Sequence, residues 1–189
     1  MQQMKDHKIK TKRLLLCPSV DERDLNIYLT HLSADKEEFY LQCGEPYSEE
    51  MLSSIDFHST GVIYYSIFLK NTDNMIGYVG IFPCEEAEDN GMLEYYIFPE
   101  YRRNGYGKEA VLAMTREFFE GTLTEERGNV ILAQVMDINK MSQQFLESIG
   151  ARRTSSGWQI MYDENGERNL IEFYYYEMGA ENTLLESKI

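Results

Sequence analysis

The stretch from Arg102 to Gly107 reads Arg-Arg-Asn-Gly-Tyr-Gly, and it follows the apolar run from Met92 to Phe98. An amphipathic stretch begins at Gly107. This order predicts a strand, a glycine-rich loop with two arginines, and the start of a helix. Glycines let backbone N–H groups turn inward, and a helix start offers unpaired N–H groups and a positive dipole end. Such a loop suits phosphate groups, so the sequence predicts a phosphorylated cofactor.

Two nucleotide-binding motifs compete for the same loop. A Walker A loop is excluded, because Arg102 stands at the position of its first glycine and Glu109 at that of its Ser or Thr. The run from Gly105 to Ala110 does match the dinucleotide fingerprint G-x-G-x-x-A, and Glu125 lies where a ribose-binding acid could fall. In that fingerprint, however, the strand runs almost directly into the first glycine, whereas here Pro99 to Asn104 intervene. Dinucleotide binding stays open as the alternative.

A third interpretation rests on two motifs. Arg102-x-x-Gly105-x-Gly107 is the R/Q-x-x-G-x-G/A signature that GCN5-related N-acetyltransferases (GNATs) carry between their fourth strand and third helix. Further along, the segment from Asn139 to Gly150 is similar to the family's N-x-x-S/A helix, which ends at a glycine. The chain therefore resembles the GNAT family, and most of all its ribosomal-protein N-terminal acetyltransferase branch. The resemblance covers Leu14 to Met178 and is closer after Ile76.

The resemblance implies a fold and a cofactor. The expected fold is α/β (α+β), with a mixed, mostly antiparallel central sheet that is flanked by helices and has splayed fourth and fifth strands. The expected co-substrate is acetyl-CoA, with its pantetheine arm on backbone groups at the end of the fourth strand and its pyrophosphate on the glycine loop. The implied cofactor-binding residues are Tyr96, Ile97, Phe98, Arg102, Arg103, Asn104, Gly105, Tyr106, Gly107, Lys108 and Asn139.

Two residues are candidates for catalysis. Transfer to an amine requires a neutral nucleophile and a proton for the departing thiolate. Glu94 alternates with Met92 and Tyr96 on one strand face and matches a glutamate that some relatives use as a base or to position water; otherwise it is a structural carboxylate. Many members donate the proton from a tyrosine seven residues after the Asn, but Leu146 stands there. Ser142 resembles a serine proposed for that role, although it is also an ordinary first-turn helix residue.

These residues predict an acetyl-CoA-dependent N-acetyltransferase that works through a ternary complex, without a covalent enzyme intermediate. The expected acceptor is a primary amine, first a protein N-terminal α-amine and alternatively a small amine metabolite. Because the tyrosine is absent, a non-catalytic acyl-CoA-binding module is a further alternative.

Composition limits the other classes. With 18 basic and 32 acidic side chains the net charge is −14, which argues against direct nucleic-acid binding and favours a cationic substrate, although acidity also serves solubility. The odd, dispersed cysteines Cys17, Cys43 and Cys84 fit a reducing compartment. We expect no metal, no membrane span and a cytoplasmic location, because neither a metal-binding cluster nor a long apolar run occurs. A monomer or homodimer is expected.

The length of 189 residues predicts a single domain over 1–189, with flexible ends at 1–10 and 180–189. Before the glycine loop, hydrophobic periodicity and turn residues predict a strand at Leu14–Cys17, a helix at Asp21–Leu32, a short helix from Ser48, and a hairpin of Val62–Leu69 and Met75–Phe82. After it they predict a helix ending at Gly121, a strand at Val130–Val135, a helix ending at Gly150, and a hairpin of Trp158–Tyr162 and Leu170–Met178 around Asn165-Gly166.

Overall fold

The computed structural model describes residues 7–19, 22–55, 63–83, 90–123, 128–163 and 165–183. The strands are β1 (Ile9–Lys10), β2 (Leu14–Pro18), β3 (Ile63–Leu69), β4 (Met75–Pro83), β5 (Asn90–Ile97), β6 (Val130–Met136), β7 (Arg152–Tyr162) and β8 (Arg168–Gly179). The helices are α1 (Glu22–Ala34), α2 (Lys36–Cys43), α3 (Glu49–Ser54), α4 (Tyr106–Glu120), α5 (Lys140–Ser148) and α6 (Ala180–Thr183). None of the helices in these ranges is long and apolar enough to cross a bilayer.

The strands form one eight-stranded sheet in the order β1-β2-β3-β4-β5-β6-β8-β7. Every neighbouring pair is antiparallel except β5 and β6, which are parallel. Helices cover both faces of this sheet. The predicted fold class, a mixed and mostly antiparallel sheet flanked by helices, is confirmed.

The parallel pair is short, and this creates the opening that the fold was expected to have. β5 pairs with β6 only at Asn90, Gly91 and Met92. Beyond Met92, β5 remains paired with β4, while β6 continues along β8 up to Met136. Because β1 is an additional strand, the predicted fourth and fifth strands are β5 and β6, and the predicted splay between them is confirmed.

Two hydrophobic layers hold the helices on the sheet. On one face α4 buries Ala110, Val111, Met114 and Phe118, the four residues on one helix face. On the other face α1 and α2 pack Tyr28, Leu32 and Phe39 against strand residues such as Tyr78 and Tyr96. Each fully buried side chain of this size stabilises the fold by about 1.5–3 kcal/mol. The sheet is therefore a rigid frame from which residues project toward either helical layer.

Helix α2 has no counterpart in the predicted elements. Its N-cap is Asp35, whose side chain accepts a hydrogen bond from the N–H of Glu38, and it ends at Gly44 in a left-handed conformation. Asp-x-x-Glu followed by a glycine is a helix signature. The helix is short, and its apolar residues do not segregate to one face, so the periodicity that predicts longer helices is absent.

Short elements of secondary structure lie near both ends of the described chain. Ile9 and Lys10 pair with Leu16 and Leu15, and Ile9 is buried in the core. Residues 180–183 form the last helical turn. Residues 1–6 and 184–189 lie outside the described ranges. The expected single domain over 1–189 with flexible ends at 1–10 and 180–189 stays a prediction.

Candidate active site

A cavity of about 480 Å³ occupies the gap where β5 and β6 separate. β5, the glycine loop, β6, α2 and the first turns of α4 and α5 contribute to its wall. Of the residues predicted for the site, the following line the cavity: Glu94, Tyr96, Ile97, Arg102, Arg103, Gly105, Tyr106, Gly107, Lys108, Asn139 and Ser142. Phe98 and Asn104 do not. Motifs far apart in sequence thus converge on one space.

The glycine loop presents a row of unpaired backbone donors. Arg103 and Gly105 both have a left-handed backbone, with φ of 64° and 76°. The first helical bond of α4 runs from the N–H of Glu109 to the carbonyl of Gly105. Among the described residues, no acceptor takes the N–H groups of 103–107. Consecutive free N–H groups at a helix start form an anion-binding concavity, so this loop fits a pyrophosphate.

Arg13 fixes this loop from outside, and sequence reasoning did not identify it. Its Nε donates to Glu109 at 2.6 Å and its Nη1 donates to the carbonyl of Asn104 at 2.8 Å. Its guanidinium also stacks on the ring of Tyr106, 4.7 Å from the ring centre. Asn104 therefore helps to fix the glycine loop through its carbonyl, which bonds Arg13, and does not line the cavity. Nothing in the sequence around Arg13, a basic residue next to a predicted strand, indicates that it bonds a loop some 90 residues away.

The two adjacent arginines have different environments. Nη2 of Arg102 lies 2.9 Å from a carboxylate oxygen of Asp35 and 3.2 Å from one of Glu38, and its Nε donates to the carbonyl of Ile97 at 2.9 Å. Arg103 is exposed, and its Nη2 contacts the sulfur of Met141 at 3.3 Å. The charge of Arg102 is thus neutralised by α2 and its N-cap, whereas Arg103 keeps an exposed cation at the cavity rim.

Backbone groups of β5 face the gap at alternate residues. The N–H of Phe98 donates to the carbonyl of Ile76, so Phe98 and, by alternation, Tyr96 direct their backbone groups at β4. Tyr95 and Ile97 direct theirs at the gap that β6 has left. Tyr96, Ile97 and Phe98 were predicted to offer backbone groups to the cofactor, and of these Ile97 alone directs them at the gap. The carbonyl of Ile97 accepts a hydrogen bond from Arg102. Tyr95 is the residue that the sequence interpretation lacked.

Glu94 lies on the opposite face of β5, where two tyrosine hydroxyls hold its carboxylate. Tyr78 donates to one oxygen, and Tyr64 donates to the other at 3.3 Å. Burial raises the pKa of Glu94, and the two hydroxyls oppose that rise because they stabilise the ionised form. A half-buried carboxylate with a raised pKa in a cavity is suited to accept a proton near neutral pH.

A glycine makes the contact with Tyr64 possible. Gly80 pairs with Tyr64 on one side and with Glu94 on the other, so the three residues form a row across three strands. The ring of Tyr64 crosses Gly80, and a Cβ at that position would lie 2.6 Å from its Cδ1. Any larger residue at Gly80 would therefore displace the tyrosine that reaches Glu94.

Helix α2 closes this side of the cavity with further polar groups. The amide oxygen of Gln42 accepts from Tyr28 at 3.0 Å and from Tyr78 at 3.3 Å, and its nitrogen donates to Glu38 at 3.1 Å. Burial raises the pKa of Glu38, while Gln42 and Arg102 lower it. One connected network thus runs from Glu94 to Arg102. Since α2 was not predicted, its two members of this network, Glu38 and Gln42, were not expected at the site.

The start of α5 lies on the other side of the gap. Asn139 caps this helix, because its side chain accepts from the N–H of Ser142 at 3.0 Å. The hydroxyl of Ser142 lies 2.8 Å from that of Tyr95, whose ring packs on Phe145 at 4.6 Å. Burial raises the pKa of Tyr95, so its proton stays bound at neutral pH. Leu146 is buried one helical turn after Ser142.

Comparison with known proteins agrees with this geometry. A family model described as an acetyltransferase (GNAT) domain matches residues 13–152. No curated protein matches the sequence. Among solved structures, a GNAT-family acetyltransferase from Bacillus anthracis is 20% identical with a TM-score of 0.73, over 93% of this chain and 99% of that chain.

Two further structures share the fold at low identity. The ribosomal-protein-S5-alanine acetyltransferase from Vibrio fischeri is 15% identical, with a TM-score of 0.70 over 93% of this chain and 98% of that chain. The spermidine N-acetyltransferase from Vibrio cholerae, solved with CoA and spermine, is also 15% identical, with a TM-score of 0.70 over 92% and 99%. At sequence identities this low, the three structures show that the fold is shared and nothing more. Because the family model covers most of the sequence, the chain belongs to the GNAT family of acetyltransferases.

Proposed function

We propose that this protein transfers an acetyl group from acetyl-CoA to a primary amine. The observation that carries the proposal is a half-buried carboxylate, that of Glu94, which two tyrosines hold at the point where β5 and β6 separate. Unpaired loop amides lie along the same cavity. An anion site and a proton acceptor in one cavity are what transfer from a phosphorylated acyl carrier to an amine requires.

The residues present fit coenzyme A. The N–H groups of 103–107 would hold the pyrophosphate, with the cations of Arg103 and Lys108 beside them. The backbone groups of Tyr95 and Ile97 would bond the amides of the pantetheine arm. Asn139 would act chiefly as the cap that fixes α5. Acetyl-CoA supplies the activated thioester when it is bound.

Glu94 is the proposed base. A lysine-like amine has a pKa of about 10.4 and an α-amine one of about 8, so the acceptor arrives protonated at neutral pH. Glu94 accepts this proton, directly or through a water molecule, and leaves the amine free to attack. The net charge of −14 helps to draw a cationic acceptor toward the protein.

Tyr95 and Ser142 are proposed to act as a pair on the departing sulfur. The two hydroxyls share a hydrogen bond of 2.8 Å, and both residues line the cavity. Leu146, which stands at the position of the missing tyrosine, is one helical turn from Ser142. Tyr95 approaches Ser142 from β5, so its phenol lies in the same part of the cavity. Tyr95 donates the hydrogen bond that stabilises developing negative charge, and Ser142 orients or relays it.

The acceptor class is proposed as a protein N-terminal α-amine, with a small amine as the second candidate. The resemblance to the ribosomal-protein branch and the Vibrio fischeri structure support the first. The spermidine acetyltransferase supports the second. A non-catalytic acyl-CoA-binding module would share the loop but would have no need of Glu94.

Turnover should separate these alternatives. We expect thiol release from acetyl-CoA that depends on an added amine, measured against a panel of peptides with free N termini, polyamines and monoamines. Calorimetry should detect heat on adding CoA. Binding without turnover on every amine would favour the binding module, and the absence of CoA binding would contradict the proposal altogether. A thermal shift with NADH but not with acetyl-CoA would favour the dinucleotide alternative.

The two adjacent arginines provide a matched pair for testing the loop. Arg103→Ala should raise the Kd for CoA about five- to tenfold at low salt and reduce its salt dependence, because one exposed cation is lost near the phosphates. Arg102→Ala should instead lower the melting temperature by about 5 °C, because Asp35 and Glu38 lose their partner. Calorimetry at two salt concentrations and a thermal melt measure both effects. Equal effects of the two variants on Kd would refute this division of roles.

A further inference from the structure

The buried phenol of Tyr78 lies between two acceptors and has one proton to donate. Its oxygen is within hydrogen-bond range of a carboxylate oxygen of Glu94, and it lies 3.3 Å from the amide oxygen of Gln42. A phenol donates one hydrogen bond at a time, so Tyr78 satisfies one of these acceptors and not both. An ionised carboxylate is the stronger acceptor, and the proton therefore points at Glu94 while that residue is charged.

The surrounding groups are fully paired when Glu94 is ionised. Tyr64 donates to the second carboxylate oxygen at 3.3 Å, and Tyr28 donates to the amide oxygen of Gln42 at 3.0 Å. Among the described residues, no buried side-chain nitrogen or oxygen lacks a hydrogen-bond partner. The phenol protons of Tyr28, Tyr64 and Tyr78 thus satisfy the ionised state of the site.

Protonation of Glu94 adds a donor to this network. When the new proton is on the oxygen that faces Tyr78, two O–H groups point at each other and one of them has to turn. Tyr78 can turn its proton to Gln42, because an amide oxygen has two lone pairs and Tyr28 occupies one of them. Tyr78 is also hydrogen-bonded to Tyr28, and a turn by way of Tyr28 ends at the same amide oxygen.

Glu38 fixes which end of the Gln42 amide faces the phenols. The Nε2 of Gln42 donates to one carboxylate oxygen of Glu38 at 3.1 Å, and an ionised carboxylate accepts hydrogen bonds but donates none. The other oxygen of Glu38 lies 3.2 Å from Nη2 of Arg102. The amide oxygen of Gln42 is therefore directed at Tyr28 and Tyr78.

The titratable groups that face Glu94 are phenols and a thiol, which keep their protons near neutral pH. Among the described residues they are Tyr28 of α1, Cys43 of α2, Tyr64 of β3 and Tyr78 of β4. Burial, and after it the charge of Glu94, raises the pKa of Cys43 to about 11. The same two causes raise the pKa values of Tyr28 and Tyr78 above their ordinary range. Only Glu94 changes its charge in this group near neutral pH.

Given the proposed role of Glu94 as the base, we propose that Gln42 is a positioning residue that accepts the hydrogen bond of Tyr78 whenever Glu94 takes up a proton. The acceptor amine loses one proton and Glu94 gains it. The O–H bond of Tyr78 stays intact and only changes direction, and Gln42 gains a hydrogen bond but no proton. Gln42 thus stabilises the protonated form of the base, whereas Tyr64 stabilises the ionised form.

Gln42→Met tests the proposal, because it removes the amide oxygen and keeps the length of the side chain. We expect the pKa of Glu94 to fall by about one pH unit, since Tyr78 then keeps donating to the carboxylate. Carbon-13 NMR of glutamate-labelled protein without acetyl-CoA measures this pKa, and the signal that is lost in Glu94→Gln identifies the residue. The acidic limb of kcat/KM should move to lower pH by the same amount.

Three further variants separate this role from packing. Gln42→Glu keeps an oxygen acceptor beside Tyr78, so the titration of Glu94 should not move to lower pH. Tyr64→Phe should move the titration to higher pH, opposite to Gln42→Met. Glu37→Met introduces the same side chain at an exposed position of α2, and it should leave the pKa of Glu94 unchanged. Gln42→Leu, which also lacks the oxygen, replaces Gln42→Met if a thermal melt shows that variant unfolded.

Two results would overturn the role of Gln42. One is a wild-type or higher pKa of Glu94 in the variant that lacks the amide oxygen, and the other is an equal fall in Gln42→Met and Gln42→Glu. The NMR titration requires no turnover. A wild type that releases no thiol with any amine would therefore refute acetyl transfer itself, and it is distinguished from a Glu94 titration that does not respond to Gln42.

Discussion

Replacing Glu94 with glutamine is expected to lower kcat/KM by about 10²- to 10⁴-fold. Glutamine has nearly the same shape and can still accept a hydrogen bond from Tyr64 or Tyr78, but it cannot take a proton from the acceptor amine. The loop that would hold CoA lies on other elements, so the Kd for CoA should not change. Thiol release and calorimetry on the same preparation measure the two quantities.

The pH profile supplies the control for this variant. Glu94 must be ionised to act as a base, so kcat/KM should fall as the pH decreases through its pKa. Because burial raises that pKa, the fall should occur above the ordinary glutamate value of about 4.3. Tyr64→Phe removes a hydroxyl that stabilises the ionised form and should move the fall to higher pH.

Two results would contradict the assignment. A Glu94→Gln enzyme that keeps both its rate and the acidic limb of its profile would show that another group accepts the proton. A loss of CoA affinity equal to the loss of rate would indicate a structural carboxylate, the alternative interpretation of this residue. The expected pattern, loss of rate with binding intact, distinguishes a base from both.

The sequence predicts the parts of this site that depend on local order. Gly105 and Gly107 follow a strand and precede a helix, so a loop with free amides follows from neighbouring residues alone. The alternation of β5 likewise predicts that Glu94 and Tyr96 share a face. These features can be predicted because side chains repeat about every 2 residues along a strand and about every 3.6 along a helix, and both periods are visible in the sequence.

Other parts depend on contacts between distant segments. Arg102 and Arg103 are both predicted to bind the cofactor, but the carboxylates of Asp35 and Glu38 bind the first and leave the second at the rim. No local pattern encodes that choice. The sequence does not mark Tyr95 as a hydrogen-bond donor, because its partner Ser142 comes from α5. Specific side-chain pairs between elements are the information that a single sequence lacks.

Tyr95→Phe tests the proposed donor, and it should lower kcat by about 10²-fold with little change in KM. Phenylalanine keeps the ring on Phe145 and removes only the hydroxyl, so the packing between β5 and α5 is preserved. Burial raises the pKa of Tyr95, and the phenol therefore holds its proton over the whole working range. Stopped assays of thiol release under saturating acetyl-CoA measure kcat.

A change of leaving group separates donation from a structural role. A thioester whose thiol has a lower pKa needs less stabilisation of its departing sulfur, so the defect of Tyr95→Phe should shrink with such a donor, whereas a packing defect would not. Ser142→Ala is the comparison, because it removes the other hydroxyl of the pair. If Tyr95 is the donor and Ser142 only orients it, Ser142→Ala should cost less than Tyr95→Phe. The reverse order would make Ser142 the donor, with Tyr95 as the residue that positions it.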